Sequence, residues 1–420
     1  MDNPPATRIF TDMTLDSDIL IVGGGLNGPV LALACAQAGL RVTVIDAQPA
    51  DRFSSADFDG RSYALALTSV RLLTGLGLWQ GLAPQAQPML DIKVTDGRAG
   101  EGPSPFFMHF DHAEIEEGPM GFMIEDRHLR PALIHAVQTH PQITCRFGET
   151  VVAQDTAAGH STLTLGNQSQ LKARLLVGCD GRGSGTAARA GLRRSGWDYG
   201  QTALVCAIGH EKPHNGVAHQ FFMPPGPLAI LPLPGNRCSI VWSESTATAA
   251  AINALPDAQY LDALRPRFGD FLGDITLQGR RFTYPLSLSM TQALIAPRLA
   301  LVGDAAHGMH PIAGQGLNAG LRDIAALAQV IADATRRGED IGAPDVLSRY
   351  QTWRRFDNAA LALATDTFNR LFSNDNSLLR AARDIGMGLV AHLPPLRRGF
   401  IREAAGLNGD LPRLMKGQPL

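Results

Sequence analysis

The sequence lacks any long uncharged apolar run. Nothing in it approaches the roughly 18 residues that a helix needs to cross a bilayer, so no membrane span is expected. Cysteine is sparse too. Cys35, Cys145, Cys179, Cys206 and Cys238 are scattered, odd in number and without a C-x-x-C spacing. That excludes a disulfide framework and structural zinc as expectations, and it suits a reducing cytoplasm. Neither sign of charge is in excess: Lys and Arg number 37 against 39 Asp and Glu, so nothing electrostatic points to nucleic acid. The first residues carry Asp2, Asp12 and Asp16 and no apolar signal-peptide core, so residues 1–17 read as a flexible tail. A G-x-S-x-G elbow is missing, and no metal site is expected, because His307 and His310 stand together without a third ligand.

What is present suits a globular protein of 420 residues, 45% apolar and 18% charged, long enough for two or three interdependent lobes. Asp18 to Val22 reads as a buried strand that runs directly into Gly23-Gly24-Gly25-Leu26-Asn27-Gly28. A helix to about Ala38 and a second strand, Arg41 to Ile45, ending in Asp46, complete a βαβ unit. G-x-G-x-x-G in that setting, with an acid about 20 residues on, is the dinucleotide fingerprint in its confirming context. Gly23 makes the tight turn, Gly25 admits a pyrophosphate, Gly28 lets helix and strand close up, and Asp46 takes ribose hydroxyls.

Far along the chain, the apolar run Leu299 to Val302 delivers Asp304 to the carboxyl end of another strand. Pro311 follows, and then Gly314-Gln315-Gly316-Leu317-Asn318 opens an apolar-periodic helix. Small residues at a helix start let a flat ligand reach bare N–H groups, where the dipole places roughly +0.5 charge. The glycine fingerprint alone does not distinguish NAD from FAD. No second fingerprint accompanies it, which speaks against a flavin disulfide reductase.

GDAAHGMHPIAGQGLNAGLRD resembles the flavin-ribityl motif of the class A flavoprotein aromatic hydroxylases, and HPIAGQGLNAGLRD more narrowly resembles their ubiquinone-biosynthesis members. The resemblance extends from Asp18 to about Gly406. It implies that Asp304 binds a ribityl hydroxyl, that Pro311, Gln315 and Gly316 lie at the reacting ring, and that Gly314, Leu317 and Asn318 face its pyrimidine edge. It adds Leu26 and Asn27 in the glycine turn, Arg61 and Arg127 near the flavin, Val151 beside adenine and Asp180 of a DG motif to the cofactor contacts. The usual D-G-x-x-S-x-V-R is broken here by Ala187, with Arg189 two residues further on, which puts nicotinamide contacts there in doubt.

The fold expected is α/β, α+β overall: a Rossmann-like FAD-binding domain (18–85, 118–195 and 284–344) interleaved with an antiparallel substrate domain (86–117 and 196–283). A C-terminal helical region (345–420) follows. Met123 to Val137 reads as an amphipathic helix, and Ile252 to Phe271 as helical. Arg380, Arg383, Arg397, Arg398 and Arg402 suggest either a basic surface that meets a membrane or quinone-synthesis partners, or helices packed on the body with solvated arginines.

As the resemblance implies, NAD(P)H or another donor reduces the flavin, and a C4a-hydroperoxide passes oxygen from O2 to a lipophilic, prenylated phenol. Localisation at the inner face of the membrane and self-association are compatible with this. Alternatives are a hydroxylase of a soluble phenol, a flavin-dependent reductase of prenyl chains, and a flavin-binding scaffold without catalysis.

Overall fold

In the computed structural model, which describes residues 15–53, 58–98, 100, 102–310, 314–372 and 393–420, the first apolar run forms strand β1 (Ser17–Val22). Ile19, Leu20 and Ile21 are wholly buried, as a strand covered on both faces requires. Beside it lie β2 (Val42–Asp46) and β8 (Ile143–Phe147) in one direction, β11 (Gln170–Gly178) and β18 (Leu299–Leu301) in the other, all parallel. The order is β18-β11-β1-β2-β8. Strand β17 (Ile295–Ala296) adds an antiparallel edge, and the hairpin of β9 (Val151–Thr156) and β10 (Ser161–Leu165) pairs with the first half of β11. Helix α1 (Asn27–Gln37) and the 22-residue α8 (Gln315–Arg336) bury Leu31, Ala34, Ile324 and Leu327 in the same core. Each such large side chain removed from water contributes about 1.5–3 kcal/mol.

A second sheet, antiparallel except at one pair, runs β19 (His307–Gly308), β16 (Ile275–Thr291), β12 (Arg194–His210), β15 (Arg237–Ser245), β14 (Leu228–Leu233), β13 (Val217–Phe222), β5 (Asp91–Arg98), β6 (Gly102–Asp111). Alternation gives it two apolar faces. One is covered by α6 (Thr246–Asn253) and α7 (Asp257–Phe268), where Trp242, Tyr260 and Phe268 are buried. The other sets Ala207, Ala218 and Leu233 against Met89 and Met123 of a small third sheet, β3 (Ser62–Ala66), β7 (Gly121–Glu125) and β4 (Ala86–Met89).

Helices α2 (Leu67–Gly75), α3 (Trp79–Leu82), α4 (Asp126–Thr139) and α5 (Gly185–Arg189) connect the first sheet's parts, and α9 (Pro344–Phe372) packs on α8.

Several local expectations change. Met123 to Glu125 belongs to a strand, because its backbone pairs with Ser62 to Ala64; helical spacing of its apolar residues loses to that pairing. The helix expected over Ile252 to Phe271 is two helices, separated at Pro256, which stands at the N-cap of α7. Ala86 to Met89 joins the small sheet through β7 rather than the large one. Strand β16 is continuous across residues 283 and 284, where the sequence suggested a change of lobe, and stays paired with β12 as far as Thr291.

Candidate active site

Parallel strands of one sheet end on one edge, and ligands of such sheets sit there. The edge collects Gly23 after β1, Asp46 at the end of β2, Asp180 after β11 and Asp304 after β18. At Gly23 φ is +113° and a Cβ would lie 2.4 Å from the Cys179 carbonyl oxygen; at Gly28 it would lie 1.8 Å from that of Gly23. Both positions need glycine for packing. Gly25 differs: a Cβ there meets no atom within 4 Å. The Asp46 carboxylate accepts from the backbone N–H of Gly24 and, at 2.7 Å, of Gln48, so it braces the glycine turn.

Asp180 accepts from Ser184 Oγ and from both Thr186 N and Oγ1 at 2.9 Å, which fixes the DG loop at the start of α5. Ala187 is buried there, and Arg189 turns away to the Val151 carbonyl (3.5 Å) and Gln154 Oε1 (3.2 Å). Arg189 therefore does not take the place of the missing arginine. Asp304, 41% exposed, faces Arg182 Nε at 3.3 Å. Its turn is gripped from the large sheet as well: Arg194 of β12 donates to the carbonyls of Asp304 (3.1 Å) and Ala305.

Helix α8 starts at Gly314, the N-cap, with φ +65°, and a Cβ there would be 2.9 Å from the Ala64 Cβ. Gln315, Gly316 and Leu317 are half-buried in the first turn, and a Cβ on Gly316 meets nothing within 4 Å. Asn318 is tied four ways: Nδ2 donates to the carbonyls of Ala64 (2.9 Å) and Gly314 (3.0 Å), and Oδ1 accepts from Ala66 N (2.9 Å) and Ser69 Oγ (2.8 Å). Leu26 is the N-cap of α1, and the Asn27 amide lies against Gly303 and Gly320, where added Cβ atoms would sit 2.1 and 2.7 Å from its nitrogen. The glycine turn, the Asp304 turn and α8 are thereby brought into one contact. Pro311 lies outside the described residues.

Arg61 and Arg127 reach the same end of the small sheet, each held by acids. Arg61 contacts Asp59 (2.7 Å) and Asp126 (3.1 Å); Arg127 donates to Glu125 at 2.7 Å and lies over the Phe58 ring. Val151 stands at the start of β9, two residues past Glu149, whose N–H donates to the Asp46 carbonyl. His310 is buried with neither ring nitrogen hydrogen-bonded, and burial, reinforced by Arg182, lowers its pKa to about 4.

An H-E-x-x-H motif was not expected from the sequence, yet His210-Glu211-Lys212-Pro213-His214 carries those letters. On a helix those histidines share a face and can hold zinc. Here the string begins at the end of β12 and continues into a turn, with His210 Nδ1 on the Lys212 carbonyl and His214 Nε2 on those of Leu233 and Gly235. Among the described residues no three His, Cys, Asp or Glu side chains are arranged to hold a metal ion. Two further arginines at the Asp304 turn, Arg182 and Arg194, carried no signal beyond their places near the DG motif.

Backbone bared at Gly25 and at Gly316, an aspartate between them and a helix start beyond fit a dinucleotide with a ribityl arm, so the residues suit FAD. The class these features define is that of FAD-binding flavoproteins, and residues 16–362 match the FAD binding domain family. The chain is 45% identical to ubiquinone hydroxylase UbiL of Rhodospirillum rubrum, covering 100% of this chain and 97% of that protein. It is 34% identical to the 3-demethoxyubiquinol 3-hydroxylase of Escherichia coli, over 93% and 99%. It belongs to the ubiquinone-biosynthesis hydroxylase family of class A FAD-dependent enzymes. The p-nitrophenol 4-monooxygenase PnpA of Pseudomonas putida shares the fold, with a TM-score of 0.77 over 94% of this chain and 99% of its own at 19% identity.

Proposed function

We propose that the protein hydroxylates the aromatic ring of a prenylated phenol in ubiquinone biosynthesis, with O2 as oxygen source and NAD(P)H or another donor as reductant. The observation that carries this reading is the convergence of Gly25, Asp304 and the start of α8 on one sheet edge beside the apolar inner face of the large sheet. Bound FAD supplies the oxygen activation. The chain's own part is placement and exclusion of water. Gly23 to Gly28 and Asp46 hold the adenosine and pyrophosphate half, flanked by Val151. Asp304 holds the ribityl half, Asp180 lies between flavin and nicotinamide, and Gly314 to Asn318 present N–H groups to a ring that gains negative charge on reduction. Arg61 and Arg127 stand near the flavin, each paired with carboxylates of its own lobe.

No helix among the described residues is long and apolar enough to cross a membrane. Contact at the membrane surface is part of this reading, since a prenylated substrate partitions there. The C-terminal helix Pro394–Ala404 and its N-cap expose Leu393, Leu396 and Phe400. The face is less basic than the sequence suggests: Arg397 and Arg402 pair with Glu114 (2.8 Å) and Glu117 (3.2 Å). Arg380 and Arg383 lie outside the described residues.

Mass spectrometry of quinone-pathway lipids from cells lacking this gene tests the assignment. The expected result is accumulation of a prenylated phenol short of a ring hydroxyl, reversed by the intact gene. An unchanged quinone profile in a strain without a redundant hydroxylase overturns the ubiquinone assignment and points to a soluble phenol.

A further inference from the structure

Asp323 of α8 is completely buried, and its carboxylate has no lone pair to spare. Oδ2 accepts from the Gly303 backbone N–H at 3.1 Å and from His307 Nε2 at 2.5 Å. Oδ1 accepts from Arg354 Nε at 2.8 Å and Asn358 Nδ2 at 3.1 Å, both on α9. A carboxylate that meets four donors is in its ionised form, because a proton on either oxygen would face another donor. Burial alone would raise its pKa; the charges and hydrogen bonds of His307 and Arg354 outweigh that and hold it well below the usual carboxylate range. An acceptor-only partner also requires a proton on His307 Nε2.

The placement of the two donors on Oδ2 gives this buried charge a functional meaning. Gly303 and His307 bracket Asp304, so both ends of the turn that carries the half-exposed carboxylate are anchored to one atom of α8. That same helix begins at Gly314, with the turn that faces the ring. We propose that Asp323 is the positioning residue of the flavin half of the site, setting the spacing between the Asp304 turn and the start of α8, with His307 as its strut. This rests on the reading of Asp304 as the ribityl-binding residue. From α9, Arg354 balances the charge and Asn358 adds a neutral N–H donor.

The arrangement makes the two halves of FAD separable in experiment. Among the described residues, Gly23 to Gly28 and Asp46, which receive the ADP portion, make no hydrogen bond to Asp323; the Asn27 amide packs on Gly303 and Gly320 without bonding to the carboxylate. Apoprotein of His307→Leu, His307→Gln, Asp323→Asn and Asp304→Asn is titrated with FAD and, separately, with ADP, and its thermal midpoint is recorded without ligand. His307→Leu and Asp323→Asn are expected to weaken FAD by about tenfold or more while ADP binding stays within about twofold. His307→Gln keeps an N–H donor and is expected to retain most of the FAD affinity. His307→Leu leaves the Asp323–Arg354 pair intact, so it carries the test even where Asp323→Asn does not fold. Equal weakening of FAD and ADP, or unchanged FAD affinity in His307→Leu beside a weakened Asp304→Asn, overturns the proposal alone. Unchanged FAD affinity in Asp304→Asn overturns the ribityl reading and this proposal with it.

Discussion

Gly25 and Gly28 stand three residues apart and answer to different neighbours. A methyl group on Gly28 would collide with the Gly23 carbonyl at 1.8 Å, whereas one on Gly25 would touch nothing of the protein. Gly28→Ala is therefore expected to lower the stability of the apoprotein severely. Gly25→Ala is expected to leave it within about 0.5 kcal/mol of the parent and to weaken FAD by about tenfold or more. Thermal unfolding without cofactor and fluorescence titration with FAD check the two halves of this statement. The glycine turn was legible in the sequence because its constraints are local: strand, turn and helix lie within about 20 residues, as the fingerprint requires. The anchoring of the Asp304 turn was not, because Gly303 and His307 meet Asp323 only when the turn after β18 packs on α8, and Arg354 and Asn358 only when α9 packs there too.

At the scale of elements, α8 is held at its start by a side chain that the sequence suggested only as a cofactor neighbour. Asn318 binds β3, the first turn of α2 and its own N-cap. Asn318→Ala would leave the buried Ala66 N–H and Ser69 hydroxyl without their acceptor. The expected loss is about 2 kcal/mol or more in urea unfolding, with an unchanged m-value. The periodicity of α8 was plain from its apolar positions, and so was the meander of the large sheet. Met123 to Glu125 misled because it runs without a break into the helical spacing of residues 126–137, and its partner strand lies some sixty residues earlier.

Across the whole molecule, Glu125 links the small sheet to the large one. Buried at the end of β7, it holds Arg127 at 2.7 Å and Arg237 of β15 at 2.6 Å, with the Phe58 ring beneath both guanidinium groups. Glu125→Ala is expected to cost about 2–3 kcal/mol in denaturant unfolding. That is below the usual cost of breaking a buried pair, because the arginine side chains are 28% and 25% exposed and screened to that extent. No sequence pattern joins residues 58, 125 and 237; only the closing of the two sheets does.

Strand β19 is two residues long and forms the outer edge of the large sheet, pairing His307 and Gly308 with Met290 and Ser289. Those residues follow Asp304 almost at once, and Arg194 of the same sheet clasps the Asp304 turn. The large sheet and the Asp304 turn are thus not interchangeable parts. A chimera that imports the large sheet from a relative needs its crossover after Gly308, so that the edge strand travels with the sheet. A cut at residue 292 leaves a foreign β16 against a native edge, and the Asp304 turn beside it is displaced.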